Sequence, residues 1–202
     1  MKLNNYSLKV KNKQLVDNCD LNFYLGQINH IVGKNGVGKS LLAKDFLLNN
    51  SGNIPKSISQ NVTLISSSSN IPNDITKDFL LSLLKSKFEN NRQTFDKIYN
   101  ILNIEAIPSN VLLKNLSDGQ KQKLKLLSFL DEVTNALDKK TVNEIYEFLN
   151  DFIQSHQTKT IINITHNLSD LSALPGKYFI FKDLQIEEYQ SKEEVINDYI
   201  NL

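Results

Sequence analysis

The chain has 202 residues, 40% hydrophobic and 22% charged, enough to bury the core of one domain or of a domain with a small inserted lobe. Its net charge of +1, from 23 basic and 22 acidic side chains, lacks the basic excess that a broad nucleic-acid footprint needs. Cys19 is the only cysteine, which excludes an internal disulfide. The start MKLNNYSLKVKNKQ has no secretion-type apolar core, and no apolar run approaches the roughly 20 residues of a bilayer span, so the expectation is a cytosolic chain that meets a membrane through a partner.

Residues 1 to 32 read as short strands. LVDNCDLNFYL alternates loosely, Gly26 and Gln27 form a turn, and INHIV is a short apolar strand. Ser40 to Leu48 has helical spacing, 49 to 55 is a loop, and NVTLI (61 to 65) is a further strand followed by the polar loop SSSSNIPND. From Ile75 to about Leu102 the pattern is helical until Pro108 interrupts it, which suggests an inserted helical lobe. A long amphipathic helix, KKTVNEIYEFLNDFIQS, follows Asp138. After it come the strands TIINIT and KYFIF and a closing helix, EEVINDYI. Strand and helix alternate on both sides of the lobe, as a largely parallel α/β sheet requires.

GKNGVGKS, Gly33 to Ser40, matches the phosphate-loop pattern G-x-x-x-x-G-K-[ST], with a strand before it and a helix after it. Glycines let the backbone wrap closely and aim N–H groups at phosphate oxygens, while the helix N-terminus adds partial positive charge. The nucleotide-binding set is therefore Gly33, Lys34, Asn35, Gly36, Val37, Gly38, Lys39, Ser40 and Leu41, with Lys39 on the β/γ-phosphates and the Ser40 hydroxyl on Mg²⁺.

Three further stretches narrow the class. LSDGQ (116 to 120) followed by KQK resembles the signature sequence of the ATP-binding cassette (ABC) family. LDEVTNALD (130 to 138) resembles that family's Walker B acid, adjacent glutamate and D-loop, and TIINITHNLSDL resembles its switch-histidine strand. The order of the motifs is also the family's. The resemblance implies an α/β fold: a P-loop NTPase whose RecA-like parallel core sheet carries an N-terminal antiparallel β subdomain and a small inserted α-helical subdomain. It places the core at 1–74 and 131–202, with the lobe at about 75–130 carrying the signature.

By the same resemblance Asp131 and Ser40 hold Mg²⁺, Glu132 polarises the attacking water, and His166 contacts the γ-phosphate. Leu116, Ser117, Asp118, Gly119 and Gln120 serve the nucleotide of a second cassette packed head to tail, and Asp138 marks the D-loop. The implied cofactors are ATP and Mg²⁺. The implied partners are that second cassette, identical or not, and an integral membrane permease, which would hold the chain at the cytoplasmic face of the membrane; no nucleic acid is expected. His30 and His156 read as structural.

The sequence departs from the family's pattern in four places. Asp118 replaces a glycine, where a carboxylate near the γ-phosphate costs Coulomb energy unless it turns outward. Ser67 stands where the family has a metal-touching glutamine. The adenine-stacking position falls near Lys9 and Val10, with Tyr6 nearby but read as a sheet residue. Finally, ten residues, Lys121 to Leu130, must supply a helix of about 11 residues, a turn of at least about 2 and a strand of about 5. They can make the helix or the strand, hardly both. Either the central strand is truncated or a segment is missing here, and the intact motifs on both sides favour a missing segment. The leading expectation is the ATPase subunit of a membrane transporter. A degenerate cassette that binds nucleotide with little hydrolysis and a soluble cassette ATPase of repair or translation are the alternatives.

Overall fold

The computed structural model describes residues 1–61, 71–87, 92–128 and 139–202. The chain divides into two compact units, Met1–Leu64 with Tyr146–Leu202, and Ile65–Ile145.

In the first unit, β1 (Lys2–Val10) and β2 (Lys13–Asn22) form an antiparallel hairpin. A four-stranded sheet follows, in the order β4 (Ile161–Thr165), β3 (Ile28–Val32), β5 (Gly176–Lys182), β6 (Gln185–Tyr189). β3 runs parallel to β4 and β5, whereas β6 is antiparallel to β5. β3 is buried at every position because both faces of the sheet are covered. Ile31, Phe179 and Phe181 pack under the hairpin and α1 (Lys39–Leu48) with Tyr6, Phe23 and Phe46. On the opposite face Val32 and Ile180 pack with Leu171 of α7 (Ser169–Ala173) and Val195 of α8 (Lys192–Asn201). This period-2 division of alternate residues between two cores is what makes INHIV apolar almost throughout.

Two polar groups organise this core. Asp45, buried on α1, accepts hydrogen bonds from the Tyr6 hydroxyl (2.8 Å), the Ser51 amide (2.7 Å) and the Ser51 hydroxyl (2.6 Å). Tyr6 also stacks on Phe46, so it is a sheet residue committed to the core. His30 lies inside β3, stacked on Tyr178 with centroids 5.6 Å apart. The Asn163 side-chain amide sits 3.0 Å from its Nδ1, and Nε2 lies 2.8 Å from the Leu174 carbonyl. With the amide donating to Nδ1, Nε2 carries the proton and donates to the carbonyl, so a neutral ring satisfies both nitrogens. Burial pushes the His30 pKa down, opposed by the Leu174 carbonyl and the Asp170 charge. His156 is exposed and rests on Phe152.

Strand β5 enters very close to β3. A Cβ on Gly176 would lie 2.1 Å from the Ile28 carbonyl oxygen, so only glycine fits there.

The second unit is helical in its described part, with α3 (Lys77–Lys87), α4 (Arg92–Ile101) and α5 (Asp118–Ser128). Short 3₁₀ turns at Ile104–Ala106 and Leu113–Asn115 link α4 to α5. Lys77 is buried, and its ammonium caps the first turn by donating to the carbonyls of Ile107 (2.5 Å) and Ile104 (3.4 Å). Between the loop after α1 and the helical region lies α2 (Lys56–Ser59), and α6 (Lys139–Ser155) is the long amphipathic helix that follows Asp138. The expected strand at 61 to 65 lies, from residue 62 on, outside the described residues.

Candidate active site

The register of the parallel strands sets the geometry of the site. Val32, the last residue of β3, pairs with Thr165, the last of β4, so these two strands end level, while β5, whose Ile180 pairs with Val32 on the other side, runs on to Lys182. The residues that follow β3 and β4 are Gly33 and His166, and both therefore leave the sheet at its carboxyl edge, where open α/β sheets place ligand groups. The sequence expectation put these residues in one site, and the register is the structural relation that brings them together.

The loop after β3 is shaped by its glycines. A Cβ on Gly33 would lie 2.8 Å from the Phe181 carbonyl oxygen and 3.0 Å from Val37 Cγ1, so the loop leaves the sheet packed on β5. Gly36 (φ +85°) and Gly38 (φ +119°) hold backbone conformations that side chains disfavour. Gly38 is the N-cap of α1, and no side chain caps that end. A helix start left without a side-chain cap in a tight, glycine-turned loop suits an anion, because its N–H groups and dipole both favour negative charge. Lys34, Asn35 and Gly36 are exposed at the loop's crest, with Val37 half-buried beneath them. The Lys39 ammonium folds over the loop and donates to the carbonyls of Gly33 (2.6 Å) and Lys34 (3.0 Å). Ser40 and Leu41, in the first turn of α1, are exposed. The residues present fit a nucleoside triphosphate. Ser40 offers an exposed hydroxyl oxygen of the hard type Mg²⁺ prefers.

His166 is exposed at the end of β4, and its backbone neighbours are held tightly. The Thr165 hydroxyl donates to Asp170 Oδ2 at 2.7 Å and accepts the Asn167 amide at 2.9 Å. The other Asp170 oxygen accepts the Tyr146 hydroxyl of α6 at 2.7 Å. Burial, together with the Asp170 carboxylate, pushes the Tyr146 pKa up, so the hydroxyl stays a donor. This network was missed in the sequence. Its only local sign is the T-H-x-x-x-D spacing of 165 to 170, and Tyr146 lies 24 positions from Asp170.

The signature residues belong to the second unit. Leu116 is buried, Ser117 and Asp118 are exposed, and Gly119 and Gln120 are half-exposed at the start of α5. Asp118 occupies the first helical position, where a carboxylate is favoured by the helix dipole. Asp131, Glu132, Asp138 and Ser67 all lie outside the described residues. Helix α5 runs for 11 residues to Ser128. Only Phe129 and Leu130 then precede Asp131. Eight of the ten connecting residues, Lys121 to Ser128, are thus helix. Two residues reach about 7 Å, whereas a five-residue strand needs about 17 Å.

Residues 16–137 match the family model described as ABC transporter. The chain belongs to the ABC transporter family.

It is 59% identical, over the full length of both chains, to the probable peptide export ATP-binding protein YydI of Bacillus subtilis (strain 168). That alignment spans 210 positions against the 202 residues present, so the relative has at least eight residues for which this chain has none. Among solved structures it resembles an ATP-binding subunit of an ABC transporter (TM-score 0.77, 14% identity, covering 98% of this chain and 92% of that one). It also resembles the ATP-binding cassette MJ0796 in a dimeric, post-hydrolysis state bound to ADP and Pi (TM-score 0.70, 20% identity, covering 93% and 97%). The fold is that of an ABC P-loop cassette, and the protein is an ATP-binding ATPase subunit of the ABC transporter type. Among the described residues, no helix is long and apolar enough to cross a membrane.

Proposed function

We propose that this cassette drives the export of a peptide through a separate membrane permease. Two copies, or this chain and a second cassette, would close head to tail on ATP and reopen after hydrolysis. The observation that carries this reading is the level ending of β3 and β4, which sends the phosphate loop and His166 off the same sheet edge. The likeness to a relative named for probable peptide export supports the cargo class. In this reading the chain lies at the cytoplasmic face of the membrane, held there by the permease.

The roles follow from the chemistry of each group. The loop amides from Gly33 to Leu41 wrap the phosphates, and Lys39 exchanges its two carbonyl partners for phosphate oxygens, a stronger charge-assisted pairing. Ser40, with Asp131 and more weakly Ser67, would hold Mg²⁺, which neutralises phosphate charge when bound. Glu132 orients and deprotonates the attacking water, and His166 steadies the γ-phosphate and that water. Leu116 to Gln120, at the start of α5, would face the nucleotide of the opposite cassette, with Asp138 at the same seam. The helical region carrying Ser117, about residues 75–130, would act as the lobe that closes.

A second reading is favoured by α5. If the two-residue connection after Ser128 is the natural one, Asp131 is displaced, and the cassette binds nucleotide but turns over slowly. Phosphate release by the purified chain, with co-purification of an integral membrane protein, tests both readings. Steady release abolished in Glu132→Gln supports the first, and ATP binding with negligible release supports the second. A chain monomeric at saturating ATP and magnesium, even with the permease supplied, sinks the dimer picture.

A further inference from the structure

We propose that Asp170 is a positioning residue for His166, acting through Thr165 on one side of the histidine and tied through Tyr146 to α6. This rests on the assignment of His166 to the γ-phosphate.

The argument begins with where the hydrogen bonds go. Thr165 has one hydroxyl proton, and it is given to Asp170. The oxygen's accepting side receives the amide of Asn167, so the residues immediately before and after His166 are pinned by a single atom. The Asn167 side-chain oxygen in turn accepts the Ser169 amide (3.2 Å) and hydroxyl (2.8 Å), closing the turn between β4 and α7. The histidine ring is left exposed while its backbone cannot drift.

Asp170 is an expensive choice for this place. It is 4% exposed, and its oxygens are met by two neutral hydroxyls, with no ion pair among the described residues. A buried carboxylate without a cation is costly, and an apolar side chain would serve mere packing better. What the carboxylate adds is direction, since each oxygen selects one donor. Tyr146, 8% exposed, lies on the helix that follows directly on Asp138 in the chain. A shift of α6 would therefore be passed through Tyr146 and Asp170 to the backbone that carries His166. Misplacing a catalytic group by about 1 Å can cost on the order of 100-fold in rate, so such a link need not move far to matter.

The test uses the full-length chain, with ATP turnover and nucleotide affinity measured for Asp170→Asn, Tyr146→Phe, Thr165→Val, Thr165→Ser and His166→Ala. Asp170→Asn and Thr165→Val are expected to lower kcat by on the order of 10-fold or more, with the KM for ATP within about twofold. Thr165→Ser, which keeps the hydroxyl, restores the rate. Placed on His166→Ala, Thr165→Val should cost nothing further, because both act through one ring. Should Asp170→Asn fail to fold, the milder Thr165→Val and Tyr146→Phe carry the decision. If these two keep full kcat while His166→Ala loses it, the positioning role is overturned and the histidine's role stands. Multiplying losses in the double variant overturn it equally. Full turnover in His166→Ala removes the histidine assignment, and the positioning role with it.

Discussion

Ser117 and Gln120 cap one another at the start of α5. The Gln120 amide donates to the Ser117 hydroxyl oxygen at 3.3 Å, and the Gln120 side-chain oxygen accepts the Ser117 amide at 3.0 Å. This reciprocal box fixes the first turn of the helix on which the signature sits. The Ser117 hydroxyl keeps its own proton free of this box, so capping the helix and donating to a phosphate oxygen are compatible.

Asp118 sits inside that turn, exposed and with its charge beside the helix N-terminus. It stabilises α5 but repels a phosphate approaching the same end. Asp118→Gly is expected to tighten the ATP-driven dimer about two- to fivefold, the size of a 0.3–1 kcal/mol charge–dipole effect. Light scattering against ATP concentration, in a Glu132→Gln background, measures it. A weaker dimer would show that the carboxylate faces a cation across the seam.

Lys39→Ala should weaken nucleotide binding by about 10- to 100-fold, the value of a charge-assisted hydrogen bond of 1.5–3 kcal/mol. Glu132→Gln should bind ATP normally, stop releasing phosphate and accumulate as a dimer. Fluorescent-nucleotide titration and size-exclusion chromatography read these two outcomes. Unchanged hydrolysis in Glu132→Gln would mean that another group activates the water.

His30 makes stability depend on pH. Burial lowers its folded pKa, so below the ordinary histidine value near 6.5 the unfolded chain takes up a proton that the folded chain refuses. Its contribution is intact above that pH and is lost as the pH falls below it, by at most about 1.4 kcal/mol per unit. Urea denaturation at pH 7.5 and 5.5 should show the loss, and His30→Gln should show less of it. An equal loss in the variant would assign the effect to other groups.

The connection before Asp131 has a measurable signature. The 202 residues weigh 23.0 kDa, about 114 Da each, so the eight residues found in the relative would add roughly 0.9 kDa. If those eight fall between Gln120 and Asp131, ten residues plus eight match the roughly 18 that a helix, turn and strand require. The intact mass of the protein from its native cells is expected to exceed 23.0 kDa by that amount. A mass of 23.0 kDa would make the short connection real and slow phosphate release the expected behaviour.

The phosphate loop was legible because its constraints are local: glycines where the backbone turns or touches β5, and a lysine and a serine at a helix start. The long helix at Lys139–Ser155 was legible for a similar reason, since its apolar period spans several turns. The short helices α2 and α7, of 4 and 5 residues, carry too little period to be read. Lys121 to Leu130 read equally as helix or strand in the sequence, and the capping box at Ser117 and Gln120 starts a helix that takes up Lys121 to Ser128. The Tyr146–Asp170 bond was invisible because its partners meet only after α6 has packed beside the turn that follows β4.

Gly176 belongs to no nucleotide motif, yet it governs one. The strand that ends at the phosphate loop starts at Ile28, and Ile28 can lie where it does only because residue 176 has no side chain. An added methyl would drive the two strands apart at one end and displace what hangs from the other. An inactive variant at this position would pass in an assay for a lost ATP contact, although the altered atom sits a full strand's length away.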